Sequence, residues 1–192
     1  EKKIILINKT GENKLTLQRP LQAWGNIGFG IETYDFLNGA TNECSPFSIS
    51  LKVDDTLRFA FELDKIPFNQ SSYVNSHIDY AEKMTSDRKI QKLFLDPNNK
   101  LSIYSKVLNR GICCFSDSLK HFVSIIVKDA YNNQTSLSFT VKSIKYDLTV
   151  PTKLTDSSVV ASFYYDSLNV FETENIKIVV PQDALFDNIA DR

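Results

Sequence analysis

Hydrophobic and polar residues alternate most regularly between Leu119 and Ser143. This alternation is typical of β-strands with one buried face, because successive side chains of a strand point to opposite sides. Residues 129–134 interrupt it with Asp and Asn, which favour turns. The pattern therefore predicts a hairpin, and other strands must cover its apolar face. The residues assigned to that face are Val123, Ile125, Val127, Leu137, Phe139 and Val141.

Shorter segments with the same period surround this hairpin and predict an all-β fold, an antiparallel sandwich. Asp54 and Asp55 separate two of the segments and predict a tight hairpin turn. Gly28 and Gly30 share one face of another segment, where a neighbouring backbone or aromatic ring has room to approach closely. The predicted strands are Lys3–Asn8, Leu15–Arg19, Asn26–Asp35, Phe47–Val53, Thr56–Leu63, Lys89–Leu95, Lys100–Tyr104 and Ile112–Phe115.

Residues 64–89 do not follow the strand pattern. Apolar residues recur at helical spacing from Val74 to Ala81, which predicts one short helical insertion that ends near Met84. Ser72 or Asn75 is the expected N-terminal cap, because a side-chain oxygen there accepts a backbone N–H of the first turn.

The predicted sandwich closes near Lys145, and residues 1–145 are interpreted as one immunoglobulin-like domain. Residues 146–192 contain two further strand candidates, Val159–Tyr165 and Ile176–Val180. A segment of this length forms only a marginal core by itself. We therefore interpret it as a second, small or truncated β module.

Composition agrees with a packed β domain and excludes several partners. The 192 residues are 42% hydrophobic and include 13 Phe and 8 Tyr, which suit half-buried strands. The formal net charge is -1 and the basic residues are scattered, so no nucleic-acid partner is predicted. No apolar run approaches the roughly 20 residues of a membrane-spanning helix. No signal peptide opens the chain at Glu1, so any signal lies outside this sequence.

Three cysteines leave two readings open. Cys44, Cys113 and Cys114 match neither a C-x-x-C motif nor a zinc ribbon. Adjacent residues of a strand face opposite sides, so at most one of Cys113 and Cys114 lies in the core. The cysteines are either small apolar residues, or Cys44 forms a disulfide with Cys113 or Cys114 in an oxidising compartment.

Two histidines limit the metal and nucleophile chemistry that the chain can carry. A catalytic zinc site needs three protein ligands, and Asp79 points away from His77 in a helix. His121 opens a core strand and is interpreted as a partly exposed strand residue. A nucleophile pair of Cys113 with His121 would need a third, orienting group. The sequence therefore predicts no catalytic residue and no cofactor.

One loop offers a weak candidate for a calcium site. Asp35, Asn38 and Asn42 would present oxygen atoms, which Ca²⁺ prefers as ligands. Their spacing does not match the twelve-residue EF-hand loop.

Several segments together carry a resemblance to a known family. The most specific are SSYVNSHIDYAEK at residues 71–83 and QKLFLDPNNKLSIYSKVLNRGI at residues 91–112. IGFGIETYDFLNGATNECSPFSISLKVDD, HFVSIIVKDAYNNQTSLSFTVK and NIKIVVPQDALFDN add to them. These segments resemble the region that follows the catalytic domain in lysostaphin-type zinc metallopeptidases of Bacteroidetes. Those proteins are envelope enzymes that cut peptide cross-links of peptidoglycan.

The resemblance implies an accessory role, because the family's zinc motifs are absent from this sequence. Those motifs are His-x-x-x-Asp and His-x-His, and neither His77 nor His121 begins either of them. We therefore expect a non-catalytic module, exported to the periplasm or cell envelope. Its expected partners are peptidoglycan, an adjoining catalytic domain or another envelope component. The alternative is a stand-alone envelope binding or adhesion protein without an enzyme domain.

Overall fold

The computed structural model describes residues 14–16, 19–36, 43–145, 161–173 and 176–191, and most of its regular structure is β. This confirms the mostly-β prediction. The strands of the described residues are β1 Lys14–Thr16, β2 Leu21–Ala23, β3 Gly25–Ile27, β4 Gly30–Glu32, β5 Asp35–Phe36, β6 Glu43–Cys44, β7 Ser48–Val53, β8 Thr56–Glu62, β9 Ile90–Lys92, β10 Tyr104–Val107, β11 Cys113–Phe115, β12 Lys120–Lys128, β13 Gln134–Ser143, β14 Ala161–Phe163, β15 Asn169–Glu172, β16 Lys177–Val180 and β17 Ile189–Asp191.

One large sheet contains the predicted hairpins. Its strand order is β1, β13, β12, β7, β8 and β10, and β2 pairs with β13 beside β1. Both hairpins, β7–β8 and β12–β13, are present, and Asp54 and Asp55 form the first turn with positive φ. The prediction of a wholly antiparallel sheet was wrong, because β1 and β2 run parallel to β13. Pro20, which has no backbone N–H to donate, stands just before β2.

The core lies on one face of this sheet. The alternation of β12 and β13 is confirmed, since Val123, Ile125, Phe139 and Val141 are buried there. Burying such side chains stabilises the fold by roughly 1.5–3 kcal/mol each. The neighbouring strands β7 and β8 contribute Ile49, Leu51, Val53, Phe59 and Phe61 to the same core.

Short ladders form a second layer over the core. β3 pairs with β11 and β4 with β9, both antiparallel. Phe29, between β3 and β4, packs edge-on against Phe115 and against Phe139 of the large sheet. Gly28 is tightly covered, because a Cβ there would lie 2.6 Å from the ring of Phe94. The expected close approach of an aromatic ring at Gly28 is therefore confirmed.

The helical insertion is present but broken into pieces. A 3-10 helix at Phe68–Tyr73 continues into α1, Val74–His77, and α2 follows at Tyr80–Ser86. The predicted caps were wrong, since α1 has no side-chain cap and Asp79 caps α2 by accepting the Glu82 amide at 3.1 Å. Ile78 adopts an extended conformation between the two helices and pairs with Gln91, which explains the break.

The last part of the chain forms two small ladders. β14 pairs with β17, and β15 pairs with β16, both antiparallel. β16 confirms the second predicted strand of this region, and β14 overlaps the first, Val159–Tyr165, whose residues 159–160 lie outside the described part. Asn98 donates from Nδ2 to the carbonyl of Leu185 at 2.7 Å, and Tyr73 packs edge-on against Phe186. The division at residue 145 stays a prediction.

Candidate docking surface

An open aliphatic face lies on the β15–β16 ladder. Val170 and Val179 are paired across the ladder, and their side chains are 54% and 51% exposed. The Glu172–Lys177 pair occupies the same face, joined by an ion pair of 3.0 Å. On the opposite face Asn169 is buried and Phe171 is half-buried. One face of this ladder is thus partly covered, with Ile178 beside Phe171 still 42% exposed, and the other presents Val170 and Val179 to solvent.

The apolar exposure continues around the ladder. A shallow cavity of about 340 Å³ opens between the β14 and β15 segments. Asn169 shapes its rim, because its Oδ1 accepts the Tyr164 amide at 2.6 Å and its Nδ2 donates to the Tyr164 and Ser167 carbonyls. The further exposed apolar residues of this region are Tyr164, Leu168, Ile176, Ile178 and Ile189. Ile178 is paired with Phe171 and so lies on the opposite face of the ladder. We call the other four residues, with Val170 and Val179, the docking surface.

The charge of the chain differs between its two parts. Residues 146–192 contain eight Asp and Glu against three Lys and Arg, whereas residues 1–145 contain fifteen against nineteen. Asp166, Asp183 and Asp187 are exposed in the same region as the docking surface. Surface charge of one sign favours a partner of the opposite sign.

A polar cluster lies beneath the helical insertion, around His77. Its ring is 5% exposed, packs edge-on against Phe61 and has Nδ1 3.3 Å from the hydroxyl of Tyr104. Asn99 donates to that hydroxyl at 3.0 Å, so the Tyr104 O–H is assigned as the donor to His77. Burial and the charge of Lys92 lower the pKa of His77 to about 4. His77 is therefore a neutral packing residue at pH 7.

Asp96 forms the second half of this cluster. Its Oδ2 accepts a hydrogen bond from Ser76 at 2.6 Å and one from Lys92 at 2.9 Å. These contacts connect α1 to the turn after β9. The Asp96 contacts with Ser76 and Lys92 thus fasten the insertion to the sheet, whereas Nε2 of His77 is buried without a hydrogen-bond partner in the described structure.

His121 is held between two carboxylates. Its Nδ1 lies 2.6 Å from Asp54 Oδ2, and its Nε2 lies 3.0 Å from Asp117 Oδ1. The hydrogen bonds to Asp117 and Asp54 raise the pKa of His121, although partial burial opposes them. The two carboxylates approach opposite nitrogens of the ring and so do not converge on one point. The expectation of a partly exposed strand residue is confirmed, since the side chain is 13% exposed.

The cysteines are separated by their positions in the strands. Cys113 is buried and Cys114 is exposed in β11, which confirms that only one of them faces the core. Burial raises the pKa of the Cys113 thiol. Cys44 lies half-buried in β6, paired with Asp35. All three cysteines are free thiols in this structure. A disulfide of Cys44 with Cys113 or Cys114 in an oxidising compartment stays a prediction.

The calcium candidate is only partly within the described residues. Asp35 lies in β5 and is half-buried, whereas Asn38 and Asn42 lie outside the described residues. Across the described ranges, no three His, Cys, Asp or Glu side chains come together as a metal site. No helix in that part of the chain combines the length and apolarity needed to cross a membrane.

Comparison of the chain with protein-family models, with curated proteins and with solved structures finds no significant match. The docking surface and the His121 contacts were both missed by the sequence reasoning. β15 was not predicted, because Asn169 and Val170 give too short an alternation to be recognised. The turn at Asp54 was predicted, but the convergence of Asp54 and Asp117 on His121 depends on strand register.

Proposed function

We propose that this chain is a non-catalytic accessory region of an envelope peptidoglycan endopeptidase, which binds and positions the catalytic domain. The docking surface carries the proposal. Exposed aliphatic side chains on a partly covered ladder are typical of protein interaction sites rather than of catalytic clefts. The resemblance of residues 71–112 to the family's accessory region supplies the kind of enzyme.

The arrangement of layers supports an immunoglobulin-like sandwich as the scaffold of this region. A large sheet and the short β3–β11 and β4–β9 ladders enclose one core, with Phe29 packed between the layers. Sandwiches host many functions, so the scaffold itself does not identify the partner. The chemistry of the partner face is inferred from the docking surface, and the kind of partner is inferred from the resemblance of residues 71–112.

The docking surface requires a partner face that is apolar at its centre and basic at its rim. Val170 and Val179 provide the apolar centre, and Asp166, Asp183 and Asp187 are exposed acidic residues in the same part of the chain. We assign the catalytic domain as the occupant, with Lys and Arg around its contact face. Rim charges of this kind chiefly set the rate and specificity of association.

Site-specific photo-cross-linking in the native envelope tests this proposal. A benzoylphenylalanine replaces Val179, and a second variant carries it at Gln134, which is exposed on the β12–β13 hairpin. We expect Val179 to cross-link a domain that contains His-x-x-x-Asp and His-x-His, and Gln134 to give no such product. Cross-linking of Val179 solely to other envelope proteins would favour the stand-alone binding protein. Equal products from both positions, or none, would contradict the docking surface.

A further inference from the structure

We propose that His121 acts as a proton-controlled latch, which stiffens the connection between β11 and β12 while its ring is protonated and loosens it on deprotonation. This connection comprises residues 116–119 and contains Asp117. The proposal is independent of the partner assigned above, because all its groups lie within residues 54–143.

The two nitrogens of the His121 ring have separate carboxylate partners. Asp54 and Asp117 each accept from a different ring nitrogen, at 2.6 and 3.0 Å. Only the imidazolium form has an N–H at both nitrogens, because neutral imidazole has one donor and one acceptor. Both hydrogen bonds therefore exist together only while His121 is charged.

Within the described part of the chain, Asp54 and Asp117 are the charged groups that act on the His121 ring. The ring packs edge-on against Phe115 of β11 at 5.1 Å, and β13 places Val141 opposite His121 in the ladder. Asp54 approaches from the β7–β8 turn, with the positive charge of Arg58 acting on its carboxylate. Asp117 approaches from the β11–β12 connection. These are the charged groups that the latch involves.

The contact of His121 with Asp54 is the one that we expect to persist after the ring loses one proton. Asp54 is also held by the Phe122 amide, which donates to its Oδ1 at 2.9 Å, and its own amide donates to the Phe122 carbonyl. The shorter, better supported contact retains the remaining proton at Nδ1. Nε2 then presents a lone pair to the carboxylate of Asp117, which is repulsive.

The connection is prepared to move once that contact is lost. Asp117 is 44% exposed, and its other hydrogen bond is to the Leu119 amide within the same segment. Ser118 has a φ of 64°, which costs a non-glycine residue energy. Release of Asp117 removes the side-chain contact of this strained turn with β12. The turn then keeps two hydrogen bonds to β13, from the Ser118 amide to Ser143 Oγ at 3.3 Å and from the Ser143 amide to the Leu119 carbonyl at 2.8 Å.

The direction of the pH effect follows from the shifted ionisations. His121 has a raised pKa, so its contribution is complete below the ordinary value of about 6.5 and is lost as the pH rises through the folded pKa. The hydrogen bond from His121 lowers the pKa of Asp117. At low pH, the contact between His121 and Asp117 is therefore lost only when the pH falls through the lowered pKa of Asp117. The latch is closed between these limits.

Amide hydrogen exchange of the complete chain tests the latch. The protection factor of the Leu119 amide, corrected for intrinsic exchange, is measured from pH 5 to 9 together with the NMR titration of His121. We expect protection to fall as His121 deprotonates, on the order of tenfold for each unit by which its pKa is raised. The Asn133 amide, which donates to Asp129 at 2.8 Å in the neighbouring hairpin loop, provides the internal control and should stay constant.

Two variants separate the latch from a general loosening. Asp117→Asn should abolish the pH dependence at Leu119, whereas Asp129→Asn, which changes a loop carboxylate without a histidine partner, should retain it. Constant protection of Leu119 through the titration of His121 overturns the proposal. The same pH dependence in Asp117→Asn as in the wild type also overturns it. The wild-type series decides the matter even if a variant fails to fold.

Discussion

Acidification should lower the free energy of unfolding through protonation of His77. Most other buried core residues have no group that titrates in this pH range. The ring is 5% exposed and accepts from Tyr104 rather than from solvent. Burial and Lys92 together lower its pKa to about 4. An unfolded chain restores the ordinary value of about 6.5. Between these values the unfolded state binds the additional proton, so the free energy of unfolding falls as the pH falls.

The expected size of the effect follows from the difference between the two pKa values. At about 1.4 kcal/mol for each unit, the loss of unfolding free energy is roughly 3 kcal/mol once the pH reaches the folded pKa. Typical domains have only about 5–15 kcal/mol in total. The protonation of one side chain would therefore remove a substantial part of the stability.

Urea unfolding at pH 7.0 and pH 4.5 measures this loss. His77→Leu removes the ionisable group and leaves the Tyr104 hydroxyl without its acceptor, so we expect this variant to be less stable at pH 7 by about 1–3 kcal/mol. It should nevertheless lose much less stability than the wild type on acidification. His121→Asn is the matched control and should keep the acid sensitivity. An identical pH slope in His77→Leu and the wild type would refute the reasoning.

Three further changes test the core, a turn and the thiols. Phe59→Ala, at a side chain with no exposure, should lower the free energy of unfolding by about 3–5 kcal/mol in urea titrations; a loss below 1 kcal/mol would contradict its burial. Gly111→Ala should lower Tm, because Gly111 has a φ of 78° and a Cβ would lie 2.4 Å from the Leu93 carbonyl; an unchanged Tm would argue against this turn. Thiol titration should label Cys114 rapidly and Cys113 only on unfolding, and a count of one thiol in denaturant would instead establish the Cys44 disulfide.

The central sheet was predictable because its signal is local. Period-2 alternation identified β7, β8, β12 and β13, and Asp54 and Asp55 identified the turn between the first two. The segment Asn26–Asp35 was wrongly joined, since it forms three short strands with different partners. Its alternation reports the burial of each residue and carries no information on which strand it pairs with.

The parallel pairing and the candidate sites depended on long-range contacts. Nothing near β1 in the sequence indicates β13 as its neighbour. His121 was correctly placed at the start of a core strand, yet its two carboxylates come from separate turns, one of them 67 positions away. The residues of the docking surface are exposed because no other element of the described structure lies over them. Sequence periodicity predicts a buried face, but it cannot indicate where the covering layer ends.

The parallel edge of the sheet sets an order of events during synthesis. β1 and β2 leave the ribosome before the other strands of this sheet, and the strand they join, β13, is made more than 100 residues later. The β7–β8 and β12–β13 hairpins need only local contacts and can close as soon as they emerge. The two early strands therefore wait for the last strand of the sheet, and they then cover an edge that would otherwise be free to pair with other chains. The two strands made first thus pair last in this sheet, and delayed synthesis of β13 lengthens the period in which they lack their native partner.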